Sequence, residues 1–189
     1  MRIVLIRHGE SEFNKRYNAG EQIYSGAYNT QLTEKGRNTA RELRNNSYIQ
    51  EIEKIYSSDL DRAVETAMLA TGKTDIVKLL ILRERSLGKF EGRLKNELEK
   101  EYPEYFTNPK MMNFRRDFVI KAPGGENYQD VSQRCLSFLK ELDLESDSTI
   151  GIFSHGIFIS AMIYVLMGLE KELVRKIKIE NCKPIVLEG

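Results

Sequence analysis

Short apolar runs alternate with longer stretches of helical periodicity along this chain. RIVLI near the start, KIYS from Lys54, IVKLLIL from Ile76, TIGIF from Thr149, IKIE from Ile177 and PIVL from Pro184 read as strands. Between them, helical spacing predicts helices over about residues 34–46, 59–70 and 127–144, and a further helix after His155. This βαβα rhythm, with strands that are apolar throughout rather than alternating, predicts an α/β three-layer sandwich. Its sheet is mostly parallel, with helices on both faces. In such sheets ligands gather at the carboxyl ends of the strands.

Residues 88–125 break the rhythm. They carry Tyr102, Tyr105, Phe106, Met111, Met112 and Phe114, and after Glu104 a basic run of Lys110, Arg115, Arg116 and Lys121 against Asp117 alone. Two readings stand: a lid or substrate wall, or a small helical subdomain packed on its own aromatics. With no repeat, low-complexity tract or linker, residues 1–189 read as a single domain. Thr149 to Leu169 contains no Asp, Glu, Lys or Arg and approaches bilayer length, but Ser154-His155-Gly156 divides it. A buried strand, a turn and a buried helix are expected there, not a membrane span.

Composition narrows the function. Lys and Arg total 29 and Asp and Glu total 28, so no global field recruits nucleic acid or an anionic membrane, and any anion binding must be local. Cys135 and Cys182 lack C-x-x-C spacing and read as buried thiols of a reducing, cytoplasmic setting. No signal-peptide apolar region is seen at the N-terminus. Oligomeric state is not legible.

The only two histidines, His8 and His155, occupy the same local setting, the end of an expected strand followed by glycine. Arg7 precedes the first, and Arg62 follows the strand KIYSS. Two guanidiniums and two imidazoles at one sheet edge make a cage of phosphate size, because guanidinium forks match phosphate oxygens. The same cations disfavour imidazolium, which keeps His8 neutral and nucleophilic. Taken singly, Arg62 reads as a surface helix residue. Glu84, in LLILRERSLG, ends the third expected strand and can supply a proton to a leaving oxygen. It can equally be a solvated charge between Arg83 and Arg85.

RHGESEFN, SSDLDRAVETA, LRERSLGKFEG, PGGE and SHG occur here in the order found in the histidine phosphatase superfamily, and the chain resembles its phosphoglycerate-mutase-like members from Met1 to the C-terminus. The resemblance implies a phosphoglycerate-mutase-like α/β sandwich that needs no metal or cofactor. It also implies His8 as nucleophile, Arg7, Arg62 and His155 as the phosphate pocket, Asn14 as a further phosphate contact and Glu84 as proton donor. The partner it implies is a small phosphomonoester. Three features depart from the family pattern: Asn29 stands where an aspartate is usual, the loop between Asn14 and Gly26 is longer, and Ile157 replaces a glycine. IYSG, YPEYF and IKIEN look similar to α-ribazole phosphatases, a branch shared with broad-specificity phosphatases. Hydrolysis of a phosphomonoester, with α-ribazole 5′-phosphate as one candidate, is the expected reaction. A mutase using the same cage and a non-catalytic phospholigand-binding protein are the alternatives.

Three other motifs point elsewhere. Asp59-Leu60-Asp61 matches the D-x-D of magnesium-dependent phosphatases but lacks the following Thr or Val, and Ser58 with Asp61 reads as a helix capping box. Gly72-Lys73-Thr74 resembles the end of a P-loop, yet it follows a helix and reads as a helix stop. Arg115-Arg116 is one basic dipeptide in a neutral chain, no footprint for nucleic acid.

Overall fold

The computed structural model describes residues 1–142 and 147–188. In chain order the elements are β1 (Arg2–Arg7), α1 (Glu12–Asn18), β2 (Ile23–Tyr24), α2 (Glu34–Glu42), α3 (Ser47–Gln50), β3 (Lys54–Ser58), α4 (Asp61–Thr71), β4 (Val77–Leu79) and β5 (Arg93–Leu94). They continue with α5 (Lys95–Glu101), α6 (Glu104–Thr107), α7 (Tyr128–Lys140), β6 (Thr149–Ser154), α8 (Gly156–Met167), α9 (Lys171–Val174) and β7 (Ile185–Glu188). The main sheet runs β4-β3-β6-β1-β7, parallel throughout except for β7, which lies antiparallel beside β1.

The unbroken apolar runs follow from helices on both faces. Successive strand residues point to opposite sides. In β1, Ile3 and Leu5 join a cluster with Val131, Phe138, Phe158 and Met162 of α7 and α8, whereas Val4 and Ile6 join Ala40 of α2 and Ala67 and Ala70 of α4. α7 buries Tyr128, Val131, Cys135 and Phe138, a three-to-four spacing that makes one apolar stripe. α8 is buried over the whole of Phe158–Ile163, which is why its sequence carries no polar face. Phe158→Ala in this layer would cost about 3–5 kcal/mol. Gly151 in β6 is required by close approach, since a Cβ there would meet Ile52 Cδ1 at 2.7 Å.

Several expectations need correction. IKIE forms no strand; the chain there makes only an isolated bridge, between Arg7 and Asn181. IVKLLIL is strand only over Val77–Leu79, because Leu80–Leu82 turns as a 3-10 helix that sends Leu82 into the core. Glu84 therefore does not end a strand. α1 buries no residue and so left no apolar stripe to detect. α7 ends at Lys140, and the last residues expected in it, 143 and 144, lie outside the described residues. The capping box is absent: Ser58 Oγ accepts from Leu60 N–H at 3.3 Å, while Asp61 binds Asn29 and Gln31. Gly72 does stop α4, in a left-handed conformation with φ 71°.

Residues 88–125 add the short strand β5, paired with β2, and gather Phe90, Leu98, Tyr105 and Phe114 with Tyr24 into a separate apolar cluster. Among the described residues no helix is long and apolar enough to cross a membrane.

Candidate active site

Sheet order places the chemistry. β3, β6 and β1 are neighbours and run in parallel, so the segments leaving their carboxyl ends meet at one edge. His8 follows β1, His155 follows β6 as the N-cap of α8, and Arg62 opens α4 after β3. Gly9 allows the chain to pass close beside α2, since a Cβ there would lie 2.6 Å from Gly36 O. Thr66 Oγ1, on α4, accepts the Gly9 N–H at 3.0 Å and fixes the turn.

His8 is buried, and its Nδ1 lies 2.7 Å from Gly9 O. A carbonyl only accepts, so Nδ1 carries the proton and Nε2 the lone pair. Arg62 Nε donates to that Nε2 at 3.2 Å. Burial first, then the charges of Arg62 and Arg7, hold the His8 pKa well below the ordinary histidine range, which leaves a neutral imidazole at neutral pH. His155 is fully buried, its ring centroid 5.1 Å from that of His8, and neither ring nitrogen has a protein hydrogen-bond partner. Its pKa is depressed by burial, Arg62, His8 and Arg7.

Arg62 is only 1% exposed, yet no carboxylate hydrogen-bonds it. Its Nη1 donates to Tyr28 O at 2.7 Å and its Nη2 to Gly26 O at 3.2 Å. Burial pushes its pKa down to about 10, still far above neutrality. Arg7 donates from Nη1 to Ile179 O at 2.8 Å, and its Nε has no protein partner. Buried Arg62 and half-buried Arg7, neither hydrogen-bonded to a carboxylate, leave unneutralised positive charge, which an arriving anion relieves.

Glu84 is half-buried at the amino end of α8. Its two carboxylate oxygens accept from Ile157 N–H, both at 3.2 Å, and Oε1 also accepts from Arg85 N–H at 2.8 Å. Neighbouring Arg83 turns away to pair with Asp59, Nε to Oδ1 at 2.7 Å. Gly156 lies between the carboxylate and Arg7, for a Cβ there would be 3.8 Å from Glu84 Oε2 and 3.7 Å from Arg7 Nε.

Arg7, His8, Asn14, Arg62 and Glu84 all line one cleft of about 1260 Å³, and His155 sits in the wall behind His8. Sequence reasoning passed over Asn181, whose Nδ2 donates to His8 O at 2.6 Å and to Asn14 Oδ1 at 3.4 Å. Only its place inside the motif IKIEN hinted at it. Asn29, at the usual aspartate position, donates to Asp61 Oδ2 at 2.9 Å and accepts from Asp61 N–H at 3.1 Å. An aspartate there would set two carboxylates against each other. Among the described residues no three His, Cys, Asp or Glu side chains form a metal-ligand group.

Known proteins carry the same architecture. The chain is 30% identical over 194 residues to 2,3-bisphosphoglycerate-dependent phosphoglycerate mutase 2 of Gloeobacter violaceus, covering 98% of this chain and 84% of that one. A putative α-ribazole-5′-P phosphatase from Escherichia coli superposes with a TM-score of 0.83 at 26% identity, covering 100% and 90% of the two chains. A mycobacterial glucosyl-3-phosphoglycerate phosphatase complexed with VO3 gives 0.80 at 26% identity, covering 99% and 92%. The family model described as histidine phosphatase superfamily, branch 1, matches residues 3–189. With paired histidines and buried arginines at the carboxyl edge of a parallel sheet, and with that match over nearly its whole length, the chain belongs to the histidine phosphatase superfamily.

Proposed function

We propose that this protein is a phosphomonoester hydrolase that works through a phosphohistidine at His8. The observation that carries the reading is the neutral His8 ring, with its proton held on Nδ1 by Gly9 O and its Nε2 lone pair directed toward the buried cation of Arg62. In the first step Nε2 attacks phosphorus, the P–O ester bond breaks, and the leaving oxygen takes the proton of the Glu84 carboxyl group. Positive charge on the phosphorylated ring is stabilised through Nδ1–H and Gly9 O. Arg7 and Arg62 neutralise the non-bridging oxygens, the neutral His155 ring donates a hydrogen bond to them, and Asn14 adds a further contact. In the second step water attacks phosphorus, the P–N bond breaks, and Glu84 takes back a proton. Inorganic phosphate leaves and the neutral imidazole is restored. The arginines supply the charge stabilisation that a metal ion supplies in other phosphoryl-transfer sites.

A mutase would use the same first step and return the phosphoryl group to a bound product. The relatives named as phosphoglycerate mutases favour that second reading. A cleft of about 1260 Å³ has room for water as well as a small ester, which supports hydrolysis. The two buried thiols, Cys135 and Cys182, whose pKa values burial pushes up to about 12, suit a cytoplasmic enzyme. The deciding experiment is phosphate release from a panel of phosphomonoesters that includes α-ribazole 5′-phosphate and 3-phosphoglycerate. Isomerisation of 3-phosphoglycerate without phosphate release from any ester would replace the hydrolase with the mutase.

A further inference from the structure

Glu84 does not owe its place to a strand. β4 ends at Leu79, and residues 83–86, which carry the carboxylate, belong to no strand or helix. A backbone without ladder hydrogen bonds holds a reacting side chain only where other groups fix its amides. The requirement is strict, because a misplacement of about 1 Å can cost about 10² in rate.

Arg134 and Glu126, both half-buried, supply those groups. Arg134, on α7, donates from Nη1 to Ile81 O at 2.5 Å and to Arg83 O at 3.1 Å. Its Nε and Nη2 form a fork on the two carboxylate oxygens of Glu126, at 2.7 and 2.9 Å. Glu126 in turn grips the far side of Glu84. Its Oε2 accepts from Ser86 N–H at 2.9 Å, and its own N–H donates to Ser86 O at 2.9 Å. Between these holds, Ser154 Oγ at the end of β6 donates to Leu82 O at 2.7 Å. The Arg134 guanidinium also lies over the Phe158 ring of α8, 5.4 Å from its centroid, one residue beyond the Ile157 N–H that bonds the Glu84 carboxylate. Neither Arg134 nor Glu126 lines the cleft, so neither meets the substrate itself.

Glu126 closes PGGE, a motif to which the phosphate cage gives no role. We infer that Arg134 and Glu126 are positioning residues that clamp the backbone on either side of Glu84, at Arg83 O and Ser86 N–H, and so aim its carboxyl group at the leaving oxygen. This rests on the assignment of Glu84 to that oxygen. A clamp that served only to staple α7 to residues 81–86 would act differently. Its loss would lower the folded fraction and slow every ester alike, whereas a misaligned proton donor slows esters with basic leaving groups most.

The test compares single-turnover rates for an alkyl phosphate and p-nitrophenyl phosphate. Arg134→Met, which keeps an apolar stem against Phe158 and removes the fork, should slow the alkyl ester about 10-fold and the nitrophenyl ester less than about 3-fold. Arg134→Lys, which keeps a donor for the two carbonyls, should recover part of that loss. A double-mutant cycle then asks whether the effect passes through Glu84. Once Glu84→Gln has removed the proton donor, adding Arg134→Met should slow the alkyl ester by less than about 2-fold more. Glu126→Gln, which weakens the pair without emptying the site, should show the same preference and the same non-additivity, and it carries the test if Arg134→Met does not fold. No loss, equal losses for both esters, or the full loss repeated in the Glu84→Gln background would overturn the inference and leave Glu84 as proton donor. Equal losses for both esters from Glu84→Gln alone would instead remove the proton-donor assignment, and the inference with it.

Discussion

Arg62 Nε donates to His8 Nε2 across 3.2 Å, so a buried cation faces the one imidazole nitrogen that carries a lone pair. The bond is long for its kind and exchangeable for a phosphate oxygen. Before substrate arrives it suppresses protonation of the ring. Once a phosphoryl group enters, the same guanidinium can turn its donors onto the oxygens while Nε2 meets phosphorus.

His8→Ala should therefore abolish turnover of p-nitrophenyl phosphate. His155→Ala, which removes one charge-stabilising donor and leaves the nucleophile, should lower kcat/KM by about 10² or more. Normal turnover by the His8 variant would show that another group receives the phosphoryl.

For Glu84→Gln the decisive comparison is between leaving groups. An alkyl phosphate, whose alkoxide needs a proton, should be hydrolysed about 10² or more slower by the variant. p-Nitrophenyl phosphate, whose leaving group departs as an anion, should lose much less when single-turnover kinetics isolate phosphorylation of His8. Equal losses would assign Glu84 to binding or to capping α8.

Because two arginines neutralise the phosphate, EDTA should leave activity intact. An enzyme silenced by chelation and restored by magnesium would contradict the proposed mechanism.

The two histidines also set an acid limit on stability. Both are held well below the ordinary range in the folded protein, by burial and then by nearby cations. In the unfolded chain they titrate near about pH 6.5. Below that pH, and above the folded values, the unfolded chain binds protons that the native site refuses, so stability falls as pH falls. Above it the effect vanishes. The slope should approach about 2.7 kcal/mol per pH unit while both histidines contribute. Urea unfolding at about pH 7.5, 6.5 and 5.5 measures it. A double His8→Asn, His155→Asn variant with the same slope would place the effect on other groups.

Asn181 ties the C-terminal segment to the backbone of His8 and to Asn14. Asn181→Leu should lower kcat about 10-fold with a smaller change in KM, and should cost about 1 kcal/mol of stability for the lost hydrogen bond. Partial rescue of kcat by Asn181→Ser or Asn181→Gln would mark it as a positioning residue. A stability loss with unchanged kcat would show that the bond matters only for folding.

Much of this architecture was legible along the chain. The apolar runs of β1, β3 and β6 are buried on both faces, and helical periodicity marks α2, α4 and α7, because two-sided burial leaves an unbroken apolar run and one-sided burial of a helix leaves a period of 3.6 residues. The repeated strand-end setting of His8 and His155, with Arg7 and Arg62 nearby in the same scheme, was equally local. α1 escaped because it buries nothing, and Glu84 was placed at a strand end although the chain bends at Leu80–Leu82. What folding alone decided is which distant groups touch: Arg62 reaches His8 across 54 residues and Asn181 reaches it across 173. Those contacts depend on the order β3-β6-β1 and on the isolated bridge between Arg7 and Asn181. Pairing between strands far apart in sequence is chosen by the total burial and hydrogen bonding of the packed sheet, a sum over the whole molecule that leaves no mark on any single segment.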